Sequence, residues 1–349
     1  MFMKIALMGK IHPVGLKIFN DNNYENFEID NFDEDNLIAK LADVDGIVLR
    51  TARLTTNILS KCTKLKIIAR HGVGYDNVDS SYLSKRKIAL AITGTSNSVS
   101  VAEHVMTMFL YLTKNIHLSD KLVKSGNFKN KAELPDFFEL YKKKVLILGF
   151  GRIGQELAKR CKGFDMDIYV YDPYIKKDFI LNSDCIPIDK NEGFKIADYI
   201  SIHLPINDET RNFISFDDFN NFKKNLILIN TARGGIVNED ALIEALKNKK
   251  INSAGLDVFE KEPPVENHPL FNMDNVVLSP HNSALTLECR KRMSIEACEN
   301  IYYYLSNNNN LNNWEGTPGP PQAFTSPYRP VWAHLGSMLA CLGPYGAPI

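Results

Sequence analysis

Residues 142–174 read KKKVLILGFGRIGQELAKRCKGFDMDIYVYDPY, and this stretch decides the fold. An apolar run ends at Gly149, a helical pattern begins near Arg152, and a second apolar run ends at Asp172. Strand, helix and strand within roughly 30 residues are typical of the unit from which parallel α/β sheets are built. The stretch therefore predicts a parallel sheet with a glycine-rich turn between its first strand and the following helix.

The glycines of that turn, Gly149, Gly151 and Gly154, have the spacing G-x-G-x-x-G. The first glycine permits the tight turn, the second lets the backbone approach a pyrophosphate, and the third lets the helix pack on the strand. The phosphates of a dinucleotide then bind at the helix N-terminus. Asp172, 18 residues after Gly154, can accept hydrogen bonds from both ribose hydroxyls and would repel a 2′-phosphate. The pattern predicts dinucleotide binding and favours NAD over NADP.

Short apolar runs alternate with helical patterns on both sides of this motif. The runs are MKIALM, GIVL, LKIIA and IALAI in the first 95 residues, then VLIL, IYVY, YISI, LILI and NVVL up to residue 279. That alternation predicts two α/β units, each with a parallel sheet covered on both faces.

Two longer helical patterns accompany these units. The first, SNSVSVAEHVMTMFLYLTKNI, starts with Ser100 and Glu103 at the spacing of a capping box, and we interpret it as a long connecting helix. The second spans roughly residues 285–305. We interpret most residues of both helices as core packing, His104 among them.

Composition restricts the function classes. Lys plus Arg equals Asp plus Glu, 41 against 41, so there is no basic field to attract nucleic acid or an anionic membrane. The six cysteines show no C-x-x-C and no His at metal-ligand spacing, which predicts no metal site and reduced thiols in a cytoplasmic protein. The apolar start is a strand rather than a signal peptide, and the helix near 101–112 is too short to span a bilayer.

The C-terminal segment 314–349 has a different composition. It holds two charged residues and 12 Gly or Pro in 36 positions, and it follows the low-complexity run SNNNNLNN. Such a composition does not favour regular elements. We expect an irregular tail with little reason to join the core.

Three polar stretches follow apolar runs beyond the dinucleotide motif: TARGG with Arg233, LDVFEKEPP with Glu262, and LSPHNSALT with His281. Ligands of open α/β sheets bind at such strand ends. Arg offers a planar fork for a carboxylate, and His paired with a carboxylate is suited to general acid–base catalysis. Together they suit the oxidation of a 2-hydroxy acid, whereas each alone could form a structural salt bridge.

Taken together, these blocks resemble the D-isomer-specific 2-hydroxyacid dehydrogenases over about residues 1–305. The matching blocks are RHGVGYDNVD, SVAEH, GFGRIG, YDP, ADYISIHLP, NTARGGIVNEDAL, LDVFEKEPP and SPH. The resemblance implies an α/β protein of two Rossmann-like domains, with a discontinuous, flavodoxin-like outer substrate domain (1–97 plus 285–313) and an inserted NAD-binding domain (98–284). It also implies a homodimer.

The resemblance further implies roles for individual residues. Arg233 would bind the substrate carboxylate, His281 would exchange the proton, and Glu262 would orient His281. The implied cofactor contacts are Gly149, Gly151, Arg152, Ile153, Gly154, Asp172, Leu204, Pro205, Thr231, Ala232, Asp257, Ser283 and Ala284, and the implied substrate contacts are Arg50, Arg70, Val73 and Gly74.

The substrate stays open at this stage. In the phosphoglycerate dehydrogenase branch, arginines matching Arg50 and Arg70 are implicated in phosphate binding, which favours 3-phosphoglycerate. The alternative substrates are hydroxypyruvate or glyoxylate, and a sulfonated hydroxy acid would fit the same arginines. The chain could instead be an NAD(H)-sensing corepressor, and Arg70 could be purely structural, paired with Asp76 or Asp79 in its own loop. Only 44 residues follow Leu305, so we expect none of the C-terminal regulatory domains that many family members carry.

Overall fold

The computed structural model describes residues 3–308 and the pair 331–332, and it divides into two compact units. Unit 1 comprises Met1–Asn97 and Thr286–Ile349, and unit 2 comprises Ser98–Leu285. In chain order the elements are β1 (Lys4–Met8), α1 (Pro13–Asp21), β2 (Glu25–Ile29), α2 (Glu34–Leu41), β3 (Gly46–Leu49), α3 (Thr56–Lys61), β4 (Ile67–Arg70), α4 (Ser80–Arg86), β5 (Ala89–Ile92), α5 (Ser98–Lys114), α6 (Ile116–Lys124), β6 (Lys144–Leu148), α7 (Arg152–Gly163), β7 (Asp167–Tyr171), α8 (Lys177–Asn182), β8 (Ile186–Pro187), α9 (Lys190–Ile196), β9 (Tyr199–Ile202), β10 (Ile227–Asn230), α10 (Glu239–Lys247), β11 (Ser253–Leu256), β12 (Val276–Leu278), α11 (Leu287–Asn308) and β13 (Val331–Trp332).

Unit 1 is built on a sheet whose described strands have the order β13-β5-β4-β3-β1-β2. The pairs from β5 to β2 are parallel, and β13 pairs antiparallel with β5. All four residues of β3 are buried because apolar side chains cover both faces of the sheet. Helix α11 packs with α1 on one face, and its residues Ala297, Cys298 and Ile301 lie in the core there.

Unit 2 is built on a parallel sheet with the order β12-β11-β10-β9-β6-β7-β8 among the described residues. Strand β6 lies between β7 and β9, so successive connections leave it in opposite directions. Ligands of open parallel sheets bind beside the carboxyl ends of the strands at such a reversal. The glycine turn that follows β6 therefore occupies the point where a ligand is expected.

The fold class and the predicted strands are confirmed, and before the C-terminal tail two strands were not predicted. Strand β2 was missed because ENFEI at the sheet edge is largely polar, and the two-residue strand β8 gives no pattern at all. Both long helices form where they were predicted. The capping box is wrong: Ser100 lies inside α5 and donates to the carbonyl of Ser283, while Glu103 pairs with Arg160.

Most of the tail lies outside the described residues. Within it, the backbone of Val331–Trp332 forms β13, so the expectation of no regular element does not hold for these two residues.

The cysteines within residues 3–308 are all buried, and none of them forms a disulfide. Over the same residues, the structure has no helix with the length and apolar character that a membrane crossing needs. It also has no group there of three or more His, Cys, Asp or Glu that could bind a metal.

Candidate active site

The glycine turn of unit 2 requires glycine for steric reasons. Gly149 has a φ of +94°, and a Cβ there would lie 2.8 Å from the carbonyl oxygen of His203. A Cβ on Gly154 would collide with the carbonyl of Gly149, so this glycine lets α7 approach the turn closely. At Gly151 a Cβ would meet nothing within 4 Å, so the backbone there faces open space. That open side leaves room for a ligand against the backbone.

The neighbouring groups fit a dinucleotide. Gly151 is the N-cap of α7 and supplies no side-chain cap, so the first N–H groups of this 12-residue helix are not capped by a side chain. At the end of β7, the Asp172 carboxylate accepts hydrogen bonds from the N–H groups of Phe150, Tyr174 and Ile175. These bonds fix the carboxylate beside the turn, where the predicted contact with a ribose requires it.

Other predicted cofactor contacts lie after the central strands of the same sheet. Leu204 and Pro205 follow β9, and Thr231 and Ala232 follow β10. Within the described residues, the buried Oγ1 of Thr231 has no hydrogen-bond partner, which is the state expected of a hydroxyl that serves a ligand. The predicted contacts Arg152 and Ile153 open α7, and Ser283 and Ala284 lie in the segment after β12.

Arg233 lies in the loop after β10, and that loop is fixed at both ends. The Asn230 side chain accepts from Ala232 N–H and donates to the carbonyl of Arg233. The next residue, Gly234, touches the backbone of Phe259 so closely that any Cβ would overlap its carbonyl. This contact brings the Arg233 loop against the loop that carries Glu262.

Glu262 and His281 form the predicted pair. His281 Nδ1 lies 2.8 Å from Glu262 Oε2, and both side chains are partly exposed. Burial raises the pKa of Glu262, but the hydrogen bond and charge of His281, the N–H of Phe259 and the charge of Arg233 together hold it below its ordinary value. The carboxylate is therefore ionised and can only accept, so Nδ1 of His281 carries the hydrogen and Nε2 remains for proton exchange.

Asp257 holds the segment that carries His281. Its carboxylate has no exposed surface and accepts from Ser279 Oγ at 2.6 Å, Asn282 N at 2.8 Å and Ser283 N at 3.0 Å. These residues bracket His281, whose φ of +50° lies in the left-handed region that non-glycine residues rarely adopt. The surroundings, chiefly Asp257, stabilise this backbone conformation.

The predicted substrate contacts belong to unit 1. Arg70 donates to the carbonyls of Gly74, Leu49 and Arg50, so its guanidinium joins the 70–74 loop to the end of β3. Arg50 donates to the carbonyl of Lys10. Between the two arginines, burial and the charges of Arg50 and Arg70 lower the pKa of His71 to about 4, so this imidazole is neutral near pH 7. Val73 and Gly74 lie in the same loop.

One part of the site was missed from the sequence. His104 was interpreted as core packing, yet its Nε2 lies 2.9 Å from Ser279 Oγ and its side chain is 25% exposed. No role was predicted for Ser279, which begins the SPH block. The available signal was the four-residue spacing of Ser100 and His104 on α5, which gives no indication of what the helix faces.

Comparison with known proteins gives a family match and several relatives. Residues 106–283 match the family model described as D-isomer specific 2-hydroxyacid dehydrogenase, NAD binding domain. The chain is 36% identical to a D-3-phosphoglycerate dehydrogenase of Methanocaldococcus jannaschii over 97% of this chain, but spans only 64% of that relative. It is 37% identical to a hydroxypyruvate reductase of Thermotoga maritima over 80% of this chain and 92% of that relative.

Solved structures show the same likeness. The NAD-dependent formate dehydrogenase from Staphylococcus aureus in complex with NAD superimposes with a TM-score of 0.75 at 31% identity, covering 90% of this chain and 97% of that chain. The fold and the cofactor-binding unit of this protein therefore have counterparts of known chemistry.

The interaction between Glu262 and His281 can be tested without measuring enzyme activity. In His281→Ala the pKa of Glu262 should rise, because burial remains while the hydrogen bond and the charge of His281 are lost. Carboxyl 13C NMR titration measures this, with His117→Ala on α6 as the control that leaves Glu262 unchanged. Because the folded-state pKa of Glu262 is depressed, its stabilising contribution is present above pH 4.5 and is lost as the pH falls through the folded-state pKa. An unchanged pKa in His281→Ala would show that the pair does not interact in solution.

Proposed function

This chain belongs to the family of D-isomer specific 2-hydroxyacid dehydrogenases, and from that membership we propose that it interconverts a D-2-hydroxy acid and its 2-oxo acid with NAD as cofactor. The observation that carries the proposal is the His281–Glu262 pair, 2.8 Å apart at the carboxyl edge of a sheet that bears a dinucleotide turn. Arg233, on a loop packed against the Glu262 loop, supplies the cation for an acid substrate.

We propose that His281 is the acid–base residue. In oxidation its neutral Nε2 accepts the proton of the substrate hydroxyl, and in reduction the protonated Nε2 returns a proton to the carbonyl oxygen. Glu262, ionised and bonded to Nδ1, holds the ring orientation and stabilises the imidazolium that forms in oxidation. The two directions therefore require opposite protonation states of one nitrogen.

We propose that Arg233 binds and orients the substrate carboxylate through its planar fork. NAD, when bound, supplies the redox partner for the substrate carbon. Asp172, Thr231 and the Gly149–Gly154 turn are proposed to hold it, and the anionic Asp172 would disfavour a 2′-phosphate.

For the substrate we propose 3-phosphoglycerate. Arg70 ends β4 and Arg50 directly follows the neighbouring strand β3, and the charges of both side chains act on His71. A phosphate that loses its water shell needs charge-assisted hydrogen bonds. The phosphoglycerate dehydrogenase from M. jannaschii, similar over nearly this whole chain, supports the same choice.

A specific observation also supports hydroxypyruvate or glyoxylate as the oxo acid. The Arg70 guanidinium is already bonded to the carbonyls of Leu49, Arg50 and Gly74, which gives it a structural role in its own loop. A monoanionic substrate would need no cation beyond Arg233. The hydroxypyruvate reductase of T. maritima, which the chain covers over 92% of its length, is consistent with this second candidate.

We propose further that the chain forms a homodimer through the α6 surface, defined as the exposed apolar side chains between residues 116 and 141. Helix α6 buries none of its residues, although it is amphipathic. The surface comprises Ile116, Val123, Phe128, Phe137, Phe138 and Tyr141, each 40% to 67% exposed. Exposed apolar groups concentrated in this way mark interaction sites, and a second copy is the partner always present.

Loss of His281 tests the reaction. His281→Ala should lower kcat by at least ~10²-fold with little change in NADH affinity, because acid–base catalysis is lost and the cofactor contacts remain. Steady-state assays and NADH fluorescence titration measure the two effects, and Phe216→Ser, an exposed substitution in unit 2 outside the α6 surface, is the control. In the wild type the optimum for reduction should lie at lower pH than that for oxidation. A variant that keeps most of its activity would mean that another residue exchanges the proton.

Arg50 tests the substrate. Arg50→Ala should lower kcat/KM for phosphohydroxypyruvate by about 10- to 100-fold, the effect of losing one charge-assisted contact, and spare glyoxylate. Arg50 is chosen because replacing Arg70 would also release the carbonyls that it holds. Arg53→Ala, an exposed arginine in the following loop, is the control. Equal losses with both oxo acids, or a wild type that uses hydroxypyruvate and ignores its phosphorylated form, would assign the second candidate.

The α6 surface tests the dimer. Sedimentation velocity at micromolar concentration should give a dimer for the wild type and a monomer for the double variant Val123→Asp, Phe128→Ser, because charge and polarity on both copies oppose their apolar contact. Phe216→Ser, which alters an exposed phenylalanine outside the α6 surface, should leave the dimer intact. A monomeric wild type would refute the proposal.

A further inference from the structure

Helix α5 forms hydrogen bonds to both ends of the segment that carries His281. We define this segment, Ser279–Ser283, as the His281 loop. Ser100 Oγ donates to the carbonyl of Ser283 at 2.6 Å, and His104 Nε2 lies 2.9 Å from Ser279 Oγ. Ser100 and His104 are four residues apart, so they lie one turn apart on the same face of α5. All of these residues belong to unit 2.

The donors in this network can be assigned. A hydroxyl has one hydrogen, and that of Ser279 goes to Asp257 Oδ1. Ser279 Oγ can therefore only accept from the imidazole, so Nε2 of His104 carries a hydrogen. The same Nε2 lies 4.0 Å from Asp257 Oδ1. His104 thus places a donor at the Ser279 hydroxyl and a partial positive charge near the buried carboxylate.

This network matters because Asp257 is costly to bury and holds a strained segment. A carboxylate without exposed surface requires hydrogen bonds that replace water, and those it receives come from the His281 loop. A Ser279 hydroxyl that is held by His104 points its hydrogen at Asp257 instead of rotating. The left-handed backbone of His281 depends on these bonds.

We propose that His104 is a positioning residue for the reaction: acting through Ser279 and Asp257, it fixes the His281 loop and thereby the imidazole of His281 against Glu262. The proposal rests on the proposed function insofar as His281 is the acid–base residue, but the coupling between His104 and the His281 loop is a property of the fold.

The competing explanation is that His104 only fills space on α5. Two variants separate the alternatives. His104→Leu keeps an apolar side chain of similar size and removes the donor, whereas His104→Gln keeps an N–H at a similar distance from the backbone. Space filling predicts that Leu is tolerated at least as well as Gln, and positioning predicts that only Gln substitutes for His.

The test is amide hydrogen exchange at Asn282 and Ser283, whose N–H groups donate to Asp257. His104→Leu should raise both exchange rates about tenfold, while His104→Gln should stay within about twofold of wild type, because one hydrogen bond is lost only in the first. Phe216→Ser, an exposed substitution in unit 2 outside the α6 surface, is the control. Unchanged rates in His104→Leu, or a parallel rise at amides throughout unit 2, would overturn the proposal.

Two further measurements test the His104 network independently of the His104→Leu variant. Long-range 1H–15N spectra should show His104 protonated at Nε2, and an Nδ1–H tautomer would refute the assigned network. Ser279→Ala, which removes the bridging hydroxyl, should raise the same two exchange rates even if His104→Leu does not fold, and a Ser279→Ala variant with wild-type rates would also overturn the proposal.

Activity is measured separately. kcat should fall about tenfold in His104→Leu and recover in His104→Gln, and equal kcat values in the two variants would argue against positioning. If the wild type turned over no 2-oxo acid while the exchange rates behaved as expected, the proposed function would fail and the coupling of His104 to the His281 loop would stand.

Discussion

The buried carboxylate of Asp257 is the constraint on which the site depends. It lies at the end of β11 with no exposed surface, and its hydrogen bonds come from residues on both sides of His281. Burying a charge is tolerable only when donors replace the lost water, so the fold must bring these donors to it. The same bonds hold His281 in a left-handed conformation and direct it toward Glu262. The same hydrogen bonds therefore stabilise the buried carboxylate of Asp257 and orient the proposed base, His281.

Close backbone contacts fix the positions of the other loops of the site relative to one another. Gly149 meets the carbonyl of His203, and Gly234 meets that of Phe259, at separations that leave no room for a Cβ. The first contact joins the dinucleotide turn to the segment after β9, and the second joins the Arg233 loop to the Glu262 loop. Catalytic groups on loops are usually the mobile part of an enzyme, but loops joined through backbone contacts keep their spacing. The sheet of unit 2 therefore carries its functional groups on segments that restrain one another.

Charge is distributed locally and not over the whole surface. The chain has no net charge, so an acid substrate must be bound by individual cations. In unit 2 the charge of Arg233 contributes to the lowered pKa of Glu262, and in unit 1 burial together with the charges of Arg50 and Arg70 lowers the pKa of His71. Burial contributes most to the lowered pKa of His71, and the positive potential of the two arginines adds to it. Which oxo acid that potential serves depends on whether Arg70 can bind a ligand in addition to the carbonyls that it already holds.

The sequence alone determined the class of fold, the dinucleotide turn and the identity of the proposed catalytic residues. These features are local. Apolar runs mark the strands, and the glycine spacing marks the turn after the first strand of unit 2. Because the strands end at Leu148, Asn230 and Leu278, the residues that follow them lie at one edge of a sheet. The sequence did not predict β2 and β8, the short strands at the sheet edges, because they bury too few residues to show an apolar pattern.

Only the tertiary structure decided how the proposed base is held. Ser100, predicted as a helix cap, binds the Ser283 carbonyl, and His104, interpreted as core, binds Ser279. These partners are separated by 183 and 175 residues in the chain. Periodicity can say which face of a helix is apolar, but it carries no information on what the polar positions of that face meet. A hydrogen bond requires a distance and an angle between two distant segments, and the packing of α5 against the sheet fixes both.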